Sequence, residues 1–523
     1  MKKASLVKTM LVMTAVLLVL AACSNENNAG SNASPGTESN APSDSASAAN
    51  EEITLFVDHP WWPFSDWSGK IPEEITKRTG IKVKIQVAAD EQQLPLMIAS
   101  GAAMPDIVYT ATTHQQMSSS DVSYTWDELI EKYNVQGFNI DPAARAVNAM
   151  DDGNLYTVRN GFMSSDAFDK CEKCLNAGQG MTVREDIMQE LGNPKLETMD
   201  DYFDILKQVK SKYPKLIPAV ITPGEIGGYL RLNFGAPTNM FNFYLDGDQP
   251  RYYIDHPNQK DFYLYVNKLY REGLISAENF AWKERTEAEN YIVGDKAFSL
   301  ISASGDSESI NPRLESEGKS FKLRQVTNLL GAQPKVFWNE VGWSGMYVPK
   351  TAKNAETAIK FIQFMQSDEG QRLATWGVEG DDWTWNEAEG YPEFNYDSQN
   401  AEIQKELGVV WWGILASSGE VEKVQRYDPS SVSSEALLNL KKVTSYNPLL
   451  GKLIPDTDSE EQVILSNLDN MIKNEETRIY LAKNEDEAVQ AFDAMMKKAE
   501  EIGLSKLESW AKERYTQVES SIK

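Results

Sequence analysis

Cysteine and histidine are scarce, with three of each in 523 residues. His59, His114 and His256 lie far apart in sequence, and a zinc site needs several nitrogen or sulfur ligands held together, so no metal is expected. Cys171 and Cys174 stand in Lys170-Cys-Glu-Lys-Cys174. No strand feeding a helix surrounds them, which argues against a thioredoxin-like redox role. The chain also lacks G-x-x-x-x-G-K-[ST] and H-E-x-x-H, and Gly342-Trp-Ser-Gly345 is one residue short of a nucleophile elbow; no nucleotide, cofactor or catalytic signature is present. Basic residues are the minority, 51 against 77 acidic, for a formal charge of −26. That balance disfavours nucleic acid and anionic lipid as partners. It weighs less against a charged ligand, because a local basic pocket can exist on an acidic protein.

Long apolar runs are missing except at the start. Lys2, Lys3 and Lys8 precede an almost wholly apolar run from Met10 to Ala22, the pattern of an export signal over residues 1–22. A membrane-spanning helix needs roughly 20 apolar residues, so this run is too short for a permanent span. It ends in Leu20-Ala21-Ala22-Cys23, which resembles the lipobox of bacterial lipoproteins and marks Cys23 for acylation. Residues 24–50 contain almost nothing large and apolar and cannot repay the entropy of folding. As a tether they span on the order of 30 Å, and the lipid is the only expected membrane attachment. In that oxidising extracytoplasmic setting a short-loop disulfide between Cys171 and Cys174 is favoured over free thiols.

From about position 51 the chain exceeds what one hydrophobic core serves, so two lobes are expected. Ile53-Thr-Leu-Phe-Val57 reads as a buried strand and Ile81, Val83, Ile85 and Val87 alternate as a second; the helix between them, closed by Gly80, gives a strand-helix-strand order and a parallel sheet. Leu94 to Ser100 reads as helix and Pro105-Asp-Ile-Val-Tyr109 as a third strand. A second unit begins near Met181: Thr198-Met-Asp-Asp201 is a capping box, Gln259 to Glu272 a helix, and Glu460 to Lys523 two or three charged amphipathic helices.

Six stretches together resemble the family 1 extracellular solute-binding proteins of bacterial carbohydrate importers, particularly the large lipoprotein branch of firmicutes. They are the lipobox; Ala99-Ser-Gly-Ala-Ala-Met-Pro-Asp-Ile-Val108; Thr182-Val-Arg-Glu-Asp186; Lys268-Leu-Tyr-Arg-Glu-Gly-Leu-Ile275; Gly294-Asp-Lys-Ala-Phe298; and the segment from Ala358 through Ser367-Asp-Glu-Gly370 to Gly377-Val-Glu-Gly380. The resemblance implies an α/β, two-lobe periplasmic-binding-protein-like fold of class II type, a ligand cleft between the lobes and extra C-terminal helices. The first lobe is expected over about 51–165 and 325–385, the second over about 166–324 and 386–523. An oligosaccharide would be captured by hinge closure and delivered to ABC permease subunits, with the protein acting as a monomer. Alginate-binding relatives carry an Asp- and Asn-rich calcium loop; here that place reads Ser211-Lys-Tyr-Pro-Lys-Leu-Ile217, with no run of oxygen ligands. The cysteine pair is a departure from the family.

A neutral sugar offers apolar C–H faces and a rim of hydroxyls, so its receptor wants aromatic surfaces beside polar groups. Of the thirteen tryptophans, Trp61, Trp62, Trp338, Trp343, Trp383 and Trp411 lie in polar, Gly-rich or Pro-rich contexts and are the candidate platforms. Trp376 and Trp510 read as structural. Asp106, Glu340, Asp381 and Asp382 are candidate hydroxyl acceptors, with turn capping the competing role for Asp106 and solvated surface for the others. Two other functions compete with capture. A lipid-anchored glycan hydrolase would need two carboxyls roughly 5 to 10 Å apart and has no local signature here. A surface scaffold would lack a cleft.

Overall fold

The computed structural model describes residues 51–224, 228–456 and 459–520. The expected export segment, Cys23 and the tether to residue 50 lie outside the described residues. Glu51–Val57 pairs in parallel with Ile81–Val87 on one side and Ile107–Thr110 on the other. Gly345–Tyr347 closes the far edge antiparallel to Ile107–Thr110. Phe56 and its strand neighbours Leu55 and Val57 are wholly buried, as expected of a parallel strand covered on both faces. The helix Lys70–Thr79 that joins the first two strands ends because Gly80 takes φ 73°, its N–H returning to the Thr76 carbonyl.

A second four-stranded sheet runs in the order Ile217–Ile221, Ala297–Ala303, Gln179–Arg184, Leu323–Val326. Its first pair is parallel and the others antiparallel. Helix Met199–Lys212 packs against it and starts at a true capping box: Thr198 accepts from Asp201 N–H while the Asp201 carboxylate accepts from Thr198 N–H. The tail forms three helices, Glu460–Tyr480, Glu485–Ile502 and Leu504–Ser520. Their apolar stripes, through Ile479, Met495 and Leu507, join the core built on this second sheet.

The chain passes repeatedly between the two cores, and three of the passes, at 159–163, 341–344 and 416–421, are stitched to one another. Asn160 N–H donates to Ser344 O, Trp343 N–H to Asn160 O, Gly161 N–H to Ser417 O and Gly419 N–H to Phe162 O. Gly342 is required at this crossing. Its φ is +97° and a Cβ there would lie 2.6 Å from Asn160 O.

The two cores do not follow the chain in simple blocks. Leu330 and Trp338, with Trp376 and Trp383, belong to the second core, whereas Val409, Trp412, Leu415 and Ala416 belong to the first. The physical reason is aromatic: Trp412 fills a fully buried slot against Trp62, Phe64 and Trp67, pulling its segment back across the molecule. Cys171 and Cys174 form a disulfide with Cα atoms 5.4 Å apart, just after helix Ser165–Lys170.

Candidate ligand basin

Because Glu51–Val57 and Ile107–Thr110 are parallel and Val57 lies opposite Tyr109, the residues that follow both strands emerge together. This carboxyl edge is where open α/β sheets collect ligand contacts. Asp58 and His59 follow the first strand, and Thr112, Thr113 and His114 follow the second.

The Asp58 carboxylate is buried. Its Oδ2 accepts from the hydroxyls of Thr110 at 2.8 Å, Thr113 at 3.1 Å and Thr112 at 3.4 Å. Its Oδ1 is buried without a partner among the described residues, and burial pushes the carboxyl above its usual range. The His59 ring stacks against both indoles, on Trp61 at 4.9 Å and on Trp343 at 5.1 Å. Burial pulls His59 down to about 4, so the ring is neutral near pH 7.

His114 braces the platform from below. Trp343 O can only accept, so His114 Nε2, at 2.7 Å, carries the proton; Nδ1 then accepts from the Tyr347 hydroxyl at 2.8 Å. Burial, helped by the Arg159 charge, holds His114 at about 4 as well. Tyr109 adds an edge-on contact to His59 and receives a hydrogen bond from the Ser344 hydroxyl.

Above this floor Trp61 is 53% and Trp343 43% exposed, the two aromatics among the exposed large apolar side chains. Their rings are 6.0 Å apart and inclined by 26°. Trp411, partly buried, flanks Trp61 at 6.3 Å. Trp62 lies behind, 5% exposed, wedged edge-on against Tyr109, Trp411 and Trp412. The chain thus spends Trp62 on packing to hold Trp61 and Trp343 face-out. Together with half-satisfied Asp58 and neutral imidazoles, the surface suits a ligand with flat apolar faces and hydroxyl edges.

Four of the expected site residues, Trp61, Trp62, Trp343 and Trp411, therefore meet in one basin, three of them at its surface. The others are used elsewhere. Asp106 begins its strand at the opposite, amino edge of the sheet; its carboxylate accepts from Thr54 N–H and hydroxyl and from the N–H groups of Lys353 and Asn354, so it fastens a turn. Trp338 is buried, donates to Glu340 at 3.1 Å and packs edge-on against Phe241. Glu340 is paired with Lys423 at 2.9 Å. Asp382 accepts from Lys70 at 2.7 Å and from Val378 N–H, while Asp381 is exposed beside the same lysine. Trp383 is buried edge-on against Trp376.

Sequence reasoning missed Asp58, His59 and His114. Their signal was position: Asp58 and His59 come straight after Glu51–Val57, and His114 opens the helix that follows Ile107–Thr110. Among the described residues no three His, Cys, Asp or Glu cluster closely enough to hold a metal ion, and no helix is long and apolar enough to cross a membrane. A hollow of about 310 Å³ is lined by Phe138, Asp141, Arg159, Phe162, Asp368 and Ser418, where the chain passes between the cores at 159–163.

The model of one family, described as bacterial extracellular solute-binding protein, matches residues 70–378. Lipoprotein LipO of Bacillus subtilis is 24% identical over 360 residues, covering 64% of this chain and 68% of LipO. Among solved structures, the substrate-binding protein FusA of an S. pneumoniae ABC transporter, in complex with kestose, superposes with a TM-score of 0.66 at 16% identity, over 90% of this chain and 100% of FusA. An HMO-binding, ABC-transporter-associated solute-binding protein from Bifidobacterium longum infantis gives 0.63 at 16% identity over 89% and 98%. The alginate-binding protein AlgQ2 without calcium ion gives 0.60 at 19% over 90% and 98%. At these identities the structural likeness establishes a shared two-lobe fold.

Proposed function

The chain belongs to the bacterial extracellular solute-binding protein family, and from that premise we propose that it is the capture subunit of an ABC-type importer for an oligosaccharide. It is anchored by lipid at Cys23 and held off the membrane by residues 24–50. The observation that carries the sugar reading is the pair of exposed indoles, Trp61 and Trp343, both stacked on a neutral His59. A pyranose ring lies flat on such a surface. Asp58 Oδ1 and His59 Nε2, both buried without partners among the described residues, supply acceptor and imidazole capacity at its edge. The glycans named for the structural relatives support the same ligand class.

The mechanism is equilibrium capture. Sugar seated on the first lobe makes further contacts when the second lobe swings onto it about the three stitched crossings. It stabilises the closed form by that differential affinity. The permease recognises the closed shape, and the glycan leaves unchanged. Tryptophan emission tests this: oligosaccharides that cover Trp61 and Trp343 shift and quench it saturably. A broad panel of neutral and acidic glycans that leaves the spectrum untouched refutes the reading.

A further inference from the structure

The crossing segments carry charges that are nearly all matched. Glu340 pairs with Lys423 at 2.9 Å and Glu422 with Arg426 at 2.5 Å. Glu420 is exposed. Nearby, Arg514 takes Asp151. Two cations are left over. Arg159 spends its backbone N–H and its Nε on one atom, Asn148 Oδ1, at 3.1 and 3.2 Å. Its two terminal nitrogens have no hydrogen-bond partner and no carboxylate in reach among the described residues, and burial depresses the guanidinium. Among the described residues Lys452 donates only to Ala149 O, at 2.7 Å. Burial brings it to about 8, with Arg159 and Arg514 adding repulsion that Asp151 alone opposes.

Two unmatched, crowded cations are costly anywhere, and more unexpected in a chain of formal charge −26. Their position explains them. Arg159 lies against Gly342, where an added Cβ would come within 2.7 Å of Arg159 Cβ, and the next residue is the platform Trp343. The Arg159 charge is also felt by His114, which hydrogen-bonds Trp343 O. Arg159 therefore adjoins the aromatic surface, with Lys452 close enough for the two charges to repel, and the free fork of a guanidinium matches a carboxylate in bidentate geometry.

Resting on the reading of the basin as a glycan site, we propose that Arg159, with Lys452, is a carboxylate-binding subsite at the edge of the Trp61–Trp343 platform, so that the ligand class is uronic-acid-bearing oligosaccharide. Arg159 supplies the bidentate contact and Lys452 the second charge, and neither changes the sugar chemically.

The test is calorimetric titration of the chain from residue 24 to 523 with oligomers of galacturonan, alginate and glucuronoxylan, each in native form and with carboxyls reduced to alcohols. Native oligomers of the cognate type should bind roughly 10- to 100-fold more tightly than their reduced counterparts, the worth of a charge-assisted contact, and the margin should narrow as salt is raised. Arg159→Gln should abolish the margin; Arg159→Lys should keep part of it. Lys452→Gln, which leaves Asn148 and the crossing strand untouched, should narrow the margin even if the Arg159 variants are unstable. Equal or better binding of the reduced forms overturns this proposal and leaves the glycan reading intact. Silence from every native and reduced oligomer, with neutral glycans also silent, overturns both.

Discussion

Truncating the two exposed indoles isolates the platform from the fold that holds it. A tryptophan offers about 250 Å²; at 53% exposure Trp61 presents about 130 Å² and at 43% Trp343 presents about 110 Å². A sugar covers one face of each, roughly half of that area, which at about 25 cal/mol per Å² is worth about 1.6 and 1.4 kcal/mol. Trp61→Ala and Trp343→Ala should each weaken binding about tenfold. Both rings stack on His59, so the double variant should depart from additivity. The assay is calorimetric titration beside thermal unfolding. Because neither ring face is buried in the core, the unfolding midpoint should move little. Trp62→Ala is the contrast: at 5% exposure it should cost about 3 to 5 kcal/mol of stability. Affinities for the bound glycan within twofold of the parent in both Trp61→Ala and Trp343→Ala would refute the stacking argument.

Three further outcomes follow from particular contacts. Asp106→Ala strips four acceptor contacts from the turn at Thr54, Lys353 and Asn354 and should destabilise by about 3 kcal/mol with unchanged glycan affinity, as read by denaturant melts and titration. His59 titrates at about 4 when folded against about 6.5 unfolded. The unfolded chain therefore takes up the proton first, and stability falls as pH drops from about 6.5 to about 4, by at most on the order of 3 kcal/mol. Asp58, raised by burial, pulls the other way at the acid end. The diagnostic is thus a flatter pH dependence of denaturant midpoints in His59→Asn than in the parent. Replacing Cys171 and Cys174 by serine opens a very short loop and should lower stability by about 2 kcal/mol on the chain-entropy argument, without altering affinity.

Local signals were legible in the sequence and long-range ones were not. The strand at Ile53 to Val57, the Gly80 terminus and the Thr198 capping box each depend on neighbours a few residues away, and the structure has all three. Trp61 and Trp343 were chosen for their polar, Gly-rich or Pro-rich surroundings, and both rings are exposed. Trp338 and Trp383, chosen by the same criterion, are buried against Phe241 and Trp376 through contacts that composition does not encode. Asp106 was ambiguous because a carboxylate at a strand's start and one at its end have the same sequence context. Only the sheet's direction assigns them to opposite edges. The migration of Trp412 into the first core arises from a slot built by Trp62, Phe64 and Trp67, more than 340 residues away by the numbering. Arg159 went unnoticed because what distinguishes it is a missing partner, and a missing partner is a property of three-dimensional packing.

The most direct measurement is a calorimetric titration of the chain from residue 24 to 523 with purified oligosaccharides, followed by mass analysis of the recovered glycan. Saturable binding of one glycan per chain, with the glycan recovered at its original length, is the outcome that capture requires. A shortened glycan, or no heat from any neutral or acidic oligosaccharide across a broad panel, would contradict it.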